Sequence, residues 1–430
     1  MEIQVIDYND LGEKIHYYEH KSGLKTFIIP KKDYYKKFAA IGTYFGSINN
    51  SFQPPGESEI INVPDGVAHF LEHKLFQQED GDVMEKFSSL GANPNAYTGF
   101  NQTVYHFSCA EKFSENFKLL INFVQNPYIT KESVEKEKGI IGQEIKMYED
   151  DPGWRVFFNL IGSMYKKHPV RIDIAGTIES IEKIDKDVLM KCYNTFYHPS
   201  NMILVVVGDV DPQSVVESVN DGIKTKEHKK EIKRFFPKED DSLNSNYSEQ
   251  ELAVSKPIFM MGFKDNITNV GIKERPEREI TIKILLEMIM GKSSKLYNEM
   301  YKEGLINDSF QFDYTIEENY AFSNFGGESH NPMLVREKVE NEIKSMIKKE
   351  MDYNHLNRII KASKGRFIRY MNSIERTAQL FIPAYFNGNI IFDYMKVYDK
   401  INFEYAKETF HKHFNVENLA ISIIKPLKGG

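Results

Sequence analysis

The same coarse order of elements recurs on either side of one charged stretch, and this duplication constrains the fold more than any single motif. In the first half "AAIGTYFGS" reads as a strand, a helix carrying "HFLEH" follows, and "NAYTGFNQTVYHFSC" continues as alternating strand punctuated by Gly and Asn. In the second half "PIFMMGFKD" precedes the helical "ITIKILLEMIMGKSSKLYNEMY", and "FQFDYTIEENYAFSNFGG" follows as strand. Long charged amphipathic helices come after the strands in each half. The pattern predicts an α+β fold of two related domains, each a largely antiparallel mixed sheet covered by helices. Between them residues 224–250 are charged, then rich in Ser and Asn, with little periodic apolar content. The expected division is therefore a domain at 1–223, a linker at 224–250 and a related domain at 251–430. A chain of 430 residues suits this division, being too long for one ordinary core.

Charge removes several function classes. Lys and Arg number 55 against 62 Asp and Glu, and the net charge of -7 is not the footprint of a nucleic-acid binder. The basic "HKKEIKR" inside the linker alternates with acids and reads as solvated chain. The longest aliphatic run, Met202 to Val207, has strand length and falls far short of the roughly 20 residues of a membrane helix. The opening "MEIQVIDYNDLGEK" has neither the basic end nor the apolar core of a secretion signal. Two cysteines, Cys109 and Cys192, suit a reducing compartment. The expectation is a soluble, cytoplasmic protein with no nucleic-acid or membrane partner.

The pattern H-x-x-E-H occurs twice, at residues 16–20 and 69–73. In the later copy Val67, Phe70, Leu71 and Leu75 fall at helical spacing, with Asp65 as the expected cap, and His69, Glu72 and His73 land on another side. On a helix the two histidines are about 40° apart around the axis and about 6 Å along it, so both rings can reach one ion. Glu72 sits beside them, where a base can take a proton from water without occupying a ligand position. The earlier copy lies among tyrosines before a Lys-Ser-Gly turn and reads as a hairpin, which would hold His16 and His20 about 13 Å apart. A helical reading through Leu11, Ile15 and Tyr18 keeps that copy open. His411 and His413 read as surface histidines near a helix end.

Catalytic zinc generally takes three protein ligands and leaves a position for water, so a carboxylate should arrive from another element. Residues 131–154 predict a Glu-rich helix on which Glu137 and Glu144 share a face while Glu135 points elsewhere. They are about 10 Å apart along the axis, so only one of the pair can be a ligand.

These residues resemble the pitrilysin-type metallopeptidases, the inverzincins, a family that includes insulin-degrading enzyme and the mitochondrial processing peptidase. The resemblance is carried by "GVAHFLEHKLF", "LGANPNAYTGFNQTVYHF", "EKEKGIIGQEIKMYEDDP", "HPVRIDIAGTIESI" and "FYHPSNMILVVVGDVD". It implies zinc held by His69, His73 and Glu144, with Glu72 activating water and Glu137 as a supporting acid. It also implies that the strand bearing Asn95, Ala96 and Tyr97 receives an extended peptide through main-chain hydrogen bonds, favouring unfolded or short substrates. Active members bring an arginine and a tyrosine from their second half to the site. The matching stretch here, "LYNEMYKEGLINDSF", has Tyr301 at the arginine's place and Ile306 or Asn307 near the tyrosine's. Some bacterial members divide the labour between a zinc-bearing subunit and a zinc-less partner, and this chain resembles the zinc-bearing one. The implied function is a zinc endopeptidase subunit in a heterodimer whose partner supplies Arg and Tyr. The alternative is a zinc- and peptide-binding scaffold of the same fold that does not cleave.

Overall fold

The computed structural model describes residues 2–224, 231–349 and 351–427. The chain packs as two compact units, one of residues 1–145, 173–235 and 368–386, the other of 146–172, 236–367 and 387–430. In the first, strands β1 (Gln4–Tyr8), β2 (Glu13–Glu19), β3 (Lys25–Pro30), β4 (Lys37–Thr43), β5 (Ala92–Thr98), β6 (Thr103–Cys109) and β7 (Met202–Gly208) form one sheet. Its order is β1-β2-β3-β7-β4-β6-β5. Strand β7, "MILVVVG", is buried along its whole length, as a continuous apolar run requires of a central strand covered on both faces.

The second unit holds β8 (Tyr247–Leu252), β9 (Ile258–Asp265), β10 (Gln311–Ile316), β11 (Ala321–Glu328) and β12 (Leu419–Pro426), ordered β8-β12-β9-β11-β10. This order repeats β3-β7-β4-β6-β5 strand for strand. In each unit the last strand runs parallel to the first of the five and antiparallel to the next, and the remaining pairs are antiparallel. The duplicated α+β pattern is thus present in the folded chain.

The packing units are discontinuous in sequence. Helix Pro152–Met164, from the first half, packs on β9 and β12, and helix Ile374–Phe386, from the second, packs on β4 and β7. Gly42 in β4 makes room for the latter, since a Cβ there would sit 3.0 Å from Ile382 Cγ2. Of the stretch expected as linker, residues 225–230 lie outside the described residues. Lys233 and Arg234 pair with Gln53 and Phe52, and the Arg234 guanidinium lies 4.3 Å from the Tyr44 ring centre. Residues 247–250 belong to β8. Among the described residues no helix is long and apolar enough to cross a membrane.

The first H-x-x-E-H copy is extended: β2 and β3 form an antiparallel hairpin with His16 opposite Ile28. His20 Nδ1 lies 2.7 Å from Ser22 Oγ in the turn. His413 departs from the sequence reading. Its ring is buried, with Nε2 2.9 Å from Ser323 Oγ and Nδ1 3.4 Å from Asp265, because the last turn of helix Phe403–His413 faces the unit's interior. His411, two residues earlier, is exposed as expected.

Candidate metal centre

Helix α1 (Val67–Phe76) carries the second copy and is buried nearly all round: Val67, Phe70, Leu71 and Leu75 are in the core, and His69, Glu72 and Lys74 are buried with them. Asp65 does not cap it. Its side chain accepts from Asn50 Nδ2 at 3.0 Å, while its carbonyl accepts from Ser180 Oγ at 2.8 Å. The N-cap is Gly66 at φ 88°, where a Cβ would stand 2.4 Å from the Ala175 carbonyl oxygen. Only glycine allows both the left-handed turn and this approach, so the start of α1 is set by segment 175–180 rather than by a side-chain cap.

Helix α2 (Lys131–Asp150) presents Glu137 and Glu144 toward α1. Glu144 spans both rings: Oε1 lies 3.7 Å from His69 Nε2 and Oε2 lies 3.3 Å from His73 Nε2. Glu137 takes the other side of His73, with Oε1 3.2 Å from Nδ1. Glu135 points away, bound to Lys138 on the surface. The two ring centres are 4.6 Å apart and edge-on. Among the described residues, His69, His73 and Glu144 form a group whose ligand atoms all lie within 4.8 Å of one another.

This donor set fits a divalent cation. Tetrahedral ligation at about 2.0–2.1 Å separates neighbouring donors by about 3.3–3.4 Å, close to the two carboxylate–imidazole distances here. Burial works against a charged His73 ring, but Glu137 and Glu144 outweigh it and push its pKa up to about 10. The carboxylates that favour a proton on that ring equally favour a metal ion beside it. Burial would raise Glu137, yet the His73 bond and the charges of His73 and Lys74 hold it below the usual carboxylate range. Glu72 is raised, chiefly by burial, against the opposing pull of His69, the Thr98 bond and His73.

Thr98, at the end of β5, donates to Glu72 Oε2 at 2.5 Å, a contact the sequence reading missed. The sequence signal was its place directly after Asn95, Ala96 and Tyr97. Those three lie on β5, which ends the sheet with β6 as its one partner among the described residues. Asn95 is exposed and its Oδ1 accepts from the Ala96 amide, while the Tyr97 phenol accepts from Gln102 and burial pushes its pKa up to about 12. In the second unit Tyr301 is half exposed, Ile306 is buried, and Asn307 donates to Glu328 at 2.9 Å.

A cavity of about 520 Å³ in the second unit, lined in part by Tyr165, His168, Glu239, Lys264 and Asp265, has no comparable donor group among the described residues. Two of its acids are engaged structurally: Glu239 with Lys264 and three backbone amides, Asp265 with Arg278 and Tyr314.

Residues 62–178 match the family described as "Insulinase (Peptidase family M16)", and residues 183–363 match "Peptidase M16 inactive domain". The "Uncharacterized zinc protease YmfH" of Bacillus subtilis is 41% identical over 430 residues, 99% of each chain. The crystal structure of a putative M16-like peptidase from Alicyclobacillus acidocaldarius superposes with a TM-score of 0.92 at 30% identity, covering 99% of this chain and 100% of that one. Pitrilysin, at 14% identity, shares the fold with a TM-score of 0.75 over 98% of this chain and 46% of its own. With 41% identity along its whole length and both family regions in place, the chain belongs to peptidase family M16, the insulinase/pitrilysin-type family.

Proposed function

We propose that the chain is the zinc-bearing subunit of a metalloendopeptidase acting on unfolded or short peptides. The observation that carries this reading is the division of the three acids around α1. Glu144 spans both imidazoles, Glu137 backs His73, and Glu72 stands beside the rings, outside the group of three donors. In this reading His69, His73 and Glu144 hold the ion. When bound there, zinc supplies a Lewis acid that acidifies water and polarises a scissile carbonyl.

Glu72 is the general base. Its carboxylate, held by the Thr98 hydroxyl, accepts a proton from the attacking water and returns it to the leaving amine. Burial raises the affinity of Glu72 for that proton. The sheet end at β5 lets an extended peptide add as a further strand, with Asn95, Ala96 and Tyr97 as its docking residues. With Tyr301 at the arginine's place and Ile306 or Asn307 near the tyrosine's, the chain supplies no guanidinium at the first position and no phenol at the second. A related zinc-less partner would bring Arg and Tyr as oxyanion and substrate donors. Free, buried Cys109 and Cys192 support a reducing, cytoplasmic setting.

The test is cleavage of an unstructured fluorogenic peptide by the chain alone and mixed with a zinc-less M16 relative. The expected result is turnover in the mixture that Glu72→Gln abolishes while zinc content is kept. Turnover that survives Glu72→Gln contradicts the assigned base. Zinc binding with silence in both arms favours the non-cleaving scaffold.

A further inference from the structure

Lys74 directly follows His73, and its side chain is fully buried, 0% exposed. An ammonium in such a place is costly to keep unless it is paired and hydrogen-bonded. Its partners are Gln77 Oε1, the Ser133 carbonyl at 3.3 Å and Glu137 Oε2 at 3.7 Å. Gln77 uses both ends of its amide, accepting from Lys74 through Oε1 and donating through Nε2 to Glu137 Oε2 at 2.7 Å. Glu137 then places its other oxygen 3.2 Å from His73 Nδ1.

A continuous chain of contacts thus runs from Lys74 and Gln77 through Glu137 to the ring. With Glu137 accepting at Nδ1, the favoured neutral tautomer carries its proton there, and the lone pair of Nε2 faces the side where Glu144 lies at 3.3 Å. Both Glu137 oxygens are engaged, so the carboxylate has little freedom to rotate away from His73 or to swing toward the ion itself.

We propose that Lys74 and Gln77 are positioning residues that lock Glu137 onto His73 Nδ1 and thereby set the grip of the site on a divalent cation. The proposal rests on the zinc reading above and adds two residues to it. The sign of the effect separates positioning from simple charge. Removing a nearby positive charge, by itself, would tighten cation binding. Loosening Glu137 weakens it, and losses of about 10–100-fold are usual when the partner of a ligating histidine is disturbed.

The experiment measures the zinc dissociation constant by competition with a chelating dye for the full chain and for Lys74→Met, Gln77→Leu, Glu137→Gln and the Lys74→Met/Glu137→Gln double variant. Circular dichroism checks that each is folded. Expected are dissociation constants raised about 10–100-fold in Lys74→Met and Gln77→Leu, and a double variant no weaker than Glu137→Gln alone, as members of one chain of contacts should behave. Zinc bound by folded Lys74→Met as tightly as by the unaltered chain, or more tightly, overturns the proposal. So do losses that multiply in the double variant. Should Lys74→Met not fold, Gln77→Leu decides by the same criterion. Absence of stoichiometric zinc in the unaltered chain overturns the metal reading itself, a result distinct from any difference among variants.

Discussion

Gly66→Ala tests how the fold places the site. The substitution asks an L-residue to hold φ 88° and puts a methyl group 2.4 Å from the Ala175 carbonyl oxygen and 2.9 Å from its carbon. The left-handed conformation costs about 1–2 kcal/mol. Forcing atoms into a filled space costs about 1–3 kcal/mol more. The sum, about 2–5 kcal/mol, lowers the melting temperature of a unit of this size by about 4–20 °C, at about 2–4 °C per kcal/mol. Gly56→Ala is the control, because Gly56 has φ +82° and nothing within 4 Å of the place an added methyl would take. It should lose only the conformational part, about 1–2 kcal/mol. His69 lies three residues after Gly66, so zinc affinity should fall in Gly66→Ala and stay unchanged in Gly56→Ala. Thermal unfolding followed by circular dichroism, with zinc titration on the same samples, reads both effects. Equal melting temperatures for the two variants, or an unaltered zinc affinity in Gly66→Ala, would refute the idea that segment 175–180 seats the helix.

Two further outcomes follow from single contacts. Thr98→Val removes the hydroxyl that holds Glu72 and should lower kcat by about 10–100-fold, the equivalent of a bond to a charged group, with zinc content unchanged; an unaltered kcat in steady-state peptide cleavage would show that Thr98 does not position the base. In the second unit, burial would raise Glu239, but Lys264 and the amides of Lys166, Lys167 and His168 pull it from the ordinary 4.5 to about 2. A depressed carboxylate stabilises the fold above its unfolded-state pKa, and that contribution is lost as pH falls from 4.5 to about 2. Urea unfolding against pH should therefore show a shallower acid slope in that window for Glu239→Gln. His168, whose ring burial holds at about 4 against an ordinary 6.5, leaves the slope above that window in place. Parallel slopes for the two proteins throughout would contradict the assignment.

Periodicity made the duplication, the helix of His69 and His73, and the shared face of Glu137 and Glu144 readable, because each depends on local spacing. The hairpin at His16 and His20 was readable for the same reason. Spacing alone left the choice between Glu137 and Glu144 open, since either could turn toward α1. Strand order was hidden too: β7 and β12 come last in their sheets yet insert next to β4 and β9, a decision made by long-range pairing. Helix Pro152–Met164 and helix Ile374–Phe386 pack in units whose other segments lie mostly in the opposite half of the sequence. Asp65 had the chemistry of a cap, but the close approach of Ala175 to Gly66 took over that role. His413 looked polar and terminal, yet it is buried because Ser323 and Asp265, distant in sequence, supply its partners. Lys74 gave no signal at all, for a lysine beside a charged motif reads as solvent-facing until Glu137 and Gln77 are placed around it.

In the proposed site the imidazoles of His69 and His73 and the carboxylate of Glu144 hold the ion. Metal content after dialysis, measured by mass spectrometry for the unaltered chain, Glu144→Gln and Glu137→Gln, decides between these ligands and any other set. Expected are one zinc per chain in the first, almost none in Glu144→Gln, and retained but weaker binding in Glu137→Gln. Full zinc in Glu144→Gln together with loss in Glu137→Gln would contradict this ligand set.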